Sequence, residues 1–329
     1  MATLALIGNL WRQSRRQVVF IILLIVFAVV SVGALFLFTV REDDKGKEHV
    51  GFVFSDEVDS DLDLMIRTAL IKNMAENASE LKRQRDEEGA SKESTEEAAA
   101  GWKKQLEAYT KRTEFELESV GWAYLINLLA ITIGMWLFIA ASSGYFPGFM
   151  ETGAIDVTLA KPISRLRAFM GTYLGGLAFM VAALLALQVI IYLGVGFRSG
   201  VWVHGVFTTW VLASFMAALL FAFVTLVSVW SRSATLALVG GLFLYIAVDT
   251  ALGTWLLYAQ SGALSDSPGW ESAANLLRAT IPNFSLIKGQ MLLGVLGVDT
   301  MNWQPIYVGG IWLVICLALG YWIFRRRDF

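Results

Sequence analysis

Most of the residues that could act on a partner lie in segment 142–168, between two long apolar runs. We single out six of them for their charge, hydroxyl group or fixed backbone angle: Glu151, Asp156, Lys161, Pro162, Ser164 and Arg165. Residues 152–160 can form one or two amphipathic turns, and Pro162 stops them before a helix that starts at a serine. A short helix of this kind suits docking of a soluble partner. The alternative is a basic loop that only fixes topology, and composition weighs the two about equally.

Asp249 is the one acidic residue within an apolar run, 234–258. It lies about 15 residues past the inner end of that run, or roughly 22 Å at about 1.5 Å per residue, which places it in the outer part of a membrane helix. An acid at a helix centre costs about 2.5 to 3.5 kcal/mol, and this cost falls toward the interface. Two interpretations stay open: a place on a transport path, and a hydrogen-bonded or interfacial structural role.

Motifs for enzymatic, nucleotide-binding and metal-binding chemistry are absent from the sequence. It contains no GxxxxGK[ST], GxSxG or HExxH pattern, and its two histidines, His49 and His204, cannot by themselves build a metal site. The only cysteine, Cys316, lies in an apolar run and is expected to be a packing residue. We therefore expect no catalytic or metal site, no cofactor bound to this chain and no nucleic-acid partner.

The composition is that of a membrane protein with one water-exposed insertion. Of the 329 residues, 56% are hydrophobic and 16% are charged, against roughly 25% charged in soluble domains. Residues 41–120 hold 13 of the 26 Lys and Arg and 21 of the 28 Asp and Glu, a net charge of −8, which leaves +6 on the rest of the chain. This pattern argues against an ordinary soluble enzyme.

Six apolar runs are long enough to cross a bilayer. The first, 18–40, would be about 35 Å long as a helix, and it ends in bulky residues and then charge, which favours an uncleaved span over a signal peptide. The other five are 121–141, 169–197, 203–230, 234–258 and 306–324. The sequence therefore predicts an all-α polytopic membrane protein with six transmembrane helices and a mostly helical extracytoplasmic acidic domain, 41–120, between the first and second.

Basic residues in the short loops predict the orientation of the spans. With the N-terminus inside, ten arginines and lysines fall in the inner segments: Arg12, Arg15, Arg16, Lys161, Arg165, Arg167, Arg232, Arg325, Arg326 and Arg327. Only three fall in the short outer segments: Arg198, Arg278 and Lys288. Both termini are therefore expected to be cytoplasmic, with the acidic domain facing outward.

Three segments outside the spans are expected to have local structure. Residues 1–17 have the spacing of an amphipathic helix lying in the inner interface, although a basic stop signal is the alternative. The acidic domain begins with an alternating β-type run, His49–Phe54. Segment 259–304 is predicted to hold re-entrant or interfacial helices, and the alternative is a seventh span at 284–298, which would place the basic C-terminus outside.

The segment after the second span resembles the corresponding loop of ATP-binding cassette (ABC) exporter permeases. The resemblance rests on Glu151 and Gly153, the run Leu159-Ala-Lys-Pro-Ile-Ser-Arg165, and the helix start Gly171-Thr-Tyr-Leu-Gly175. Within that class it is nearest to the permeases of nitrous-oxide-reductase maturation and gliding motility. The chain departs from the compact members in its insertion of about 80 residues after the first span, which gives no basis for transferring a substrate.

The resemblance implies a function and a set of partners. Residues 142–168 would contain a coupling helix that docks on a separate P-loop ATPase subunit, which binds the ATP, and residues 1–17 would form a connecting helix. The permease would work as a homodimer or with a related permease in the bacterial inner membrane, exporting an unknown substrate. The alternative is a multi-span anchor for an extracytoplasmic scaffold or sensor, which six spans argue against because one span would suffice.

Overall fold

A computed structural model describes the chain in the ranges 25, 29, 32–33, 38–42, 48–52, 114–150, 164–260, 272–273, 276–277, 279–297 and 303–327. The predicted N-terminal amphipathic helix, 1–17, and most of the acidic domain lie outside the described residues. Within them, two strands form an antiparallel hairpin, β1 (Phe38–Glu42) and β2 (Glu48–Phe52), in which Phe38 pairs with Phe52. The helices are α1 (Glu114–Ser142), α2 (Tyr145–Phe149), α3 (Arg165–Ser199), α4 (Val206–Ser231), α5 (Ala234–Leu242), α6 (Asp249–Gln260), α7 (Phe284–Val295) and α8 (Gln304–Arg325).

The described residues contain five helical segments that are long and apolar enough to cross a membrane: Ser119–Phe149, Arg165–Ser199, Val206–Ser231, Ala234–Trp255 and Gln304–Arg325. These correspond to the second to sixth predicted runs, and they confirm an all-α polytopic membrane protein. The predicted first span, 18–40, lies mostly outside the described residues and stays a prediction. The fourth of these segments joins α5 to α6 through a π-helical stretch, Phe243–Val248.

The hairpin overlaps the end of the predicted first span, 18–40. Strand β1 begins at Phe38, so a helix formed by the run 18–40 must end before that residue. The β-branched residues Thr39 and Val40 favour an extended backbone, and pairing with β2 satisfies the backbone groups along one edge of β1. Strand β2 lies within the alternating run predicted at His49–Phe54, apart from its first residue, Glu48.

Helix α4 is the centre of the bundle. It packs against α1, α3, α5, α7 and α8, and 67% of its apolar stretch is buried, the largest share among the five spans. Glycines permit the closest approaches: a Cβ at Gly309 of α8 would lie 3.0 Å from the ring of Phe215, and one at Gly205 would overlap the carbonyl group of Gly294 in α7. Helix packing of this kind depends on small residues at the contact.

Helix α7 is short for a membrane element. Its 12 residues extend about 18 Å, less than the roughly 30 Å of a bilayer core. Asn283 caps its first turn by accepting a hydrogen bond from the backbone N–H of Leu286, at 3.0 Å. It packs against α4, α6, α1 and α8. This length does not fit the seventh-span alternative at 284–298.

Candidate functional site

The predicted polar residues fall in two separate places. Ser164 and Arg165 lie at the start of α3, whereas Asp249 lies at the start of α6, inside the span Ala234–Trp255. The remaining four predicted residues of the loop lie outside the described residues: Glu151, Asp156, Lys161 and Pro162. The structure therefore describes the loop at its two ends only, α2 before it and the start of α3 after it, and we call these two ends its roots.

Ser164 fixes the point at which the loop becomes a membrane helix. Its backbone is extended, with φ −66° and ψ 147°, and its hydroxyl oxygen accepts a hydrogen bond from the backbone N–H of Arg167 at 3.3 Å. A serine in this position satisfies one of the backbone donors that the first turn of a helix leaves unpaired. The predicted serine-started helix is present, and Ser164 is its N-cap.

Arg165 ties this root to the end of the last helix. Its Nη1 atom donates to the backbone carbonyl oxygens of Arg325, at 2.8 Å, and Arg327, at 3.1 Å. Carbonyl groups at a helix C-terminus lack partners within the helix and carry partial negative charge, so a guanidinium group is well suited to them. The sequence prediction placed Arg165 among residues facing a partner protein. In the structure its Nη1 atom binds the chain's own last turn.

An aromatic cluster fastens the other root, α2, to the same helix. The ring of Phe149 stacks on that of Phe324, with centroids 6.2 Å apart, and Phe146 contacts Phe169 at 5.2 Å. Phe169 in turn contacts Phe324 at 5.7 Å. Phe146, Phe169 and Phe324 are at most 1% exposed. Both roots of the loop therefore contact α8, one through hydrogen bonds and one through buried rings.

Arginines are concentrated at this end of the bundle. Six lie at the neighbouring termini of α3, α4 and α8: Arg165, Arg167, Arg232, Arg325, Arg326 and Arg327. Arg327 donates from Nη2 to the carbonyl oxygen of Trp230, the penultimate residue of α4, at 2.8 Å. Burial, and then the charge of Arg232, lowers the pKa of the Arg327 guanidinium below its ordinary value. Six of the ten inner bases that predicted the orientation are thus gathered at one end of the described helices.

Within the span Ala234–Trp255, Asp249 joins α6 to the first turn of α7. Its Oδ1 atom accepts from the backbone N–H of Ser285 at 2.8 Å, and Oδ2 accepts from the Ser285 hydroxyl and from Lys288 Nζ, each at 3.1 Å. The carboxylate also lies at the positive end of the α7 dipole. Lys288 Nζ lies 4.7 Å from the ring centre of Tyr245, in the π-helical stretch. Sequence reasoning noted Lys288 only as a charge in an apolar segment and missed this pairing.

The contacts described above join the roots of the loop to two membrane helices: Ser164 and Arg165 lie at the start of α3, and Arg165 and the aromatic cluster contact α8. Within the described ranges, no group of three or more His, Cys, Asp or Glu side chains could hold a metal ion.

Comparison with protein families gives one match. A family model described as "ABC-2 family transporter protein" matches residues 4–329, which is nearly the whole chain and includes the acidic domain. No curated protein matches the chain. The narrower likeness to nitrous-oxide-reductase maturation and gliding-motility permeases stays a prediction.

Proposed function

The chain belongs to the ABC-2 family of transporter proteins, and from that premise we propose that residues 142–168 couple ATP hydrolysis by a separate subunit to export of a substrate across the cell membrane. Family membership makes the chain a multi-pass membrane permease subunit, a transport component without its own ATPase, and implies pairing with an ATP-binding subunit. We further propose which residues couple the two subunits, the direction of transport and the arrangement of the subunits.

One observation carries the proposal: Arg165 binds the carbonyl groups of both Arg325 and Arg327. A docking element can transmit force only if its roots are fixed to the spans. The Arg165 link joins α3 to α8 at the exit of the loop, and the contact between Phe149 and Phe324 joins α2 to α8 at its entrance. Closure of two ATPase subunits would then move α3 and α8 together.

The loop residues divide into two proposed roles. Glu151, Asp156 and Lys161 would make the charged contacts with the ATPase, and Pro162 would set the angle at which α3 leaves the loop. Ser164 and Arg165 would pass the motion on. ATP itself would be bound by the partner, because this sequence has no P-loop motif.

The wider arrangement follows from charge and topology. We propose that two permease chains, identical or related, enclose a central path in a bacterial inner membrane. Both termini would be cytoplasmic. The gathering of Arg165, Arg167, Arg232 and Arg325–Arg327 at one end of the helices supports this orientation, since basic residues concentrate on the cytoplasmic side. Asp249, in the outer part of the span Ala234–Trp255, would then lie toward the outer mouth of the path.

The test uses the permease co-expressed with its ATPase and reconstituted in liposomes. Glu151→Gln should weaken co-purification of the ATPase. Arg165→Gln should leave co-purification intact but reduce permease-dependent ATP hydrolysis about tenfold, the effect of losing roughly 1.4 kcal/mol from the charge-assisted hydrogen bonds that transmit the motion. Arg167→Gln is the matched control, because Arg167 is exposed and two residues further along the same helix.

Two results would contradict the coupling assignment. The first is full ATP-coupled turnover in both the Glu151 and the Arg165 variants with normal assembly. The second is equal loss in Arg165→Gln and Arg167→Gln, which would indicate a general effect of surface charge rather than the specific link to α8.

A further inference from the structure

An arginine–tryptophan cluster lies where α4 and α8 end, and consists of Trp230, Arg232, Trp322, Arg326 and Arg327. The Trp230 and Trp322 side chains are 68% and 51% exposed although they belong to apolar helices. Exposed tryptophan at the end of a membrane helix is typical of the bilayer interface, where the ring is partly in lipid and partly in the headgroup layer. The cluster therefore lies at headgroup level.

The cluster contains three arginines, and one of them has a buried N–H group that no described residue accepts. The charge of Arg232, after burial, lowers the pKa of the Arg327 guanidinium. The Nη1 atom of Arg327 is buried and has no hydrogen-bond partner among the described residues. Two like charges held together in this way favour a bound anion.

A stripe of exposed apolar side chains on α8 leads to the cluster. Ile311, Ile315, Leu319 and Trp322 are 61%, 41%, 47% and 51% exposed, and follow one another at helical spacing. Arg326 comes four residues after Trp322, with its guanidinium carbon 3.9 Å from the centre of that ring. One face of α8 therefore changes from apolar side chains to a cation at the level of the tryptophans.

We infer that this cluster binds the phosphate group of an anionic membrane lipid, with an acyl chain lying along the α8 stripe. Arginine binds phosphate oxygens through two N–H groups at once, and basic sites between membrane helices on the cytoplasmic side recognise such headgroups. The inference goes beyond the proposed transport function, because it concerns a lipid partner at the outside of the bundle.

Continuity of the two surfaces favours lipid over other occupants. An acidic soluble protein could meet the arginines but would leave the apolar stripe uncovered within the bilayer. A second copy of this chain placed symmetrically on the same face would bring its own arginines against these, which is unfavourable. An anionic lipid matches both surfaces, with its charge at the cluster and its chains on the stripe.

The experiment compares lipids that differ only in the headgroup. The permease complex, purified in a neutral detergent, is titrated with phosphatidylglycerol or with phosphatidylcholine of the same acyl chains, and retained lipid is counted by native mass spectrometry. Arg232→Gln and Arg326→Gln should each weaken phosphatidylglycerol binding about fivefold, and together about 25-fold. Arg198→Gln, which removes an arginine from the opposite end of α3, should leave it unchanged.

A charge-retaining variant separates binding from folding. Arg232→Lys should keep most of the phosphatidylglycerol affinity, and the thermal unfolding midpoint of all variants in the absence of lipid should match that of the unsubstituted protein. Arg327→Gln is avoided because it would also break the bond to the Trp230 carbonyl oxygen.

Several outcomes would overturn the inference. Phosphatidylcholine binding as well as phosphatidylglycerol would show that headgroup charge plays no part. Inorganic phosphate displacing all bound phosphatidylglycerol would point to a free anion as the occupant. Protection of Arg232 from phenylglyoxal by the ATPase subunit, with no protection by phosphatidylglycerol, would assign the cluster to a protein partner. Efficient crosslinking of two copies through Leu319→Cys would place a second chain on the stripe.

Discussion

Substitution of Asp249 tests whether its bonds to Ser285 and Lys288 hold α7 in place. Asp249→Ala removes the carboxylate that accepts three hydrogen bonds. The backbone N–H of Ser285 and the ammonium group of Lys288 then lose this acceptor. Breaking a buried ion pair from one side costs about 3 to 5 kcal/mol. The Lys288 side chain is 21% exposed, and water can partly solvate it, so we expect about 2 to 4 kcal/mol. Asp249→Asn keeps one oxygen for Ser285 and should cost about half as much.

A double-mutant cycle measures the interaction free energy between Asp249 and Lys288. Asp249→Asn, Lys288→Met and the double variant are compared for unfolding free energy in detergent or lipid, and we expect a coupling of about 1 to 2 kcal/mol. This exceeds the average of about 0.6 kcal/mol for interhelical hydrogen bonds in membranes because both partners carry charge. Thr250→Ala, at the exposed neighbouring residue, serves as the control and should change stability by less than about 0.5 kcal/mol.

Hydrogen exchange of the α7 amide groups locates the effect. A loss of about 3 kcal/mol confined to the α6–α7 contact should raise the exchange rate of the first-turn amides of α7 about 100-fold, and should leave those of α4 close to their original values. Additivity of the two single substitutions within about 0.3 kcal/mol would refute the reasoning, because the ion pair would then contribute nothing.

The same variants separate the two interpretations of Asp249. If Asp249→Asn unfolds like the unsubstituted protein and has normal α7 exchange, but the reconstituted complex loses transport, the carboxylate acts on the path. If transport falls only in proportion to the destabilisation of α7, its role is structural.

Two further predictions concern helix packing. Gly309→Ala should destabilise the protein by about 1 to 3 kcal/mol, because the added methyl would lie 3.0 Å from Phe215, whereas Gly310→Ala, with nothing within 4 Å, should be neutral or slightly stabilising; thermal unfolding distinguishes them. Asn127 and Gln188 exchange two buried hydrogen bonds, at 2.8 and 2.9 Å, so replacing either alone by leucine should cost about 1 to 3 kcal/mol, and replacing both should cost less than the sum of the single changes. Strict additivity for that pair, or equal effects of the two glycine substitutions, would contradict these contacts.

The spans were predictable because hydropathy and helix length are local properties. The run predicted at 121–141 corresponds to Ser119–Phe149, and that at 306–324 to Gln304–Arg325. Ser164 was also predictable as a helix start, since it precedes the periodic residues of α3. Strand β1 was not predictable, because Phe38 and the apolar residues before it fit a membrane helix as well as an edge strand.

The partners of the polar residues were not predictable from spacing. Arg165 and Arg325 are 160 residues apart, and Asp249 and Lys288 are 39 apart. The sequence shows that each charge needs a partner near the membrane, but only the packing of α3 on α8 and of α6 on α7 decides which one. The π-helical stretch was missed because its residues, Phe243–Val248, are uniformly apolar and fit an α-helix equally well.

That stretch sets the rotational phase of the outer half of its span. A π-helical turn accommodates one more residue than the α-helical turn it replaces, so everything after Val248 is rotated by roughly 100° relative to an uninterrupted helix. Deleting one residue between Phe243 and Val248 would restore the α-helical phase. It would turn Asp249 away from Ser285 although Asp249, Ser285 and Lys288 are all unchanged. The ion pair is thus encoded partly in the number of residues before it, and an alignment of relatives by residue identity alone would not register that requirement.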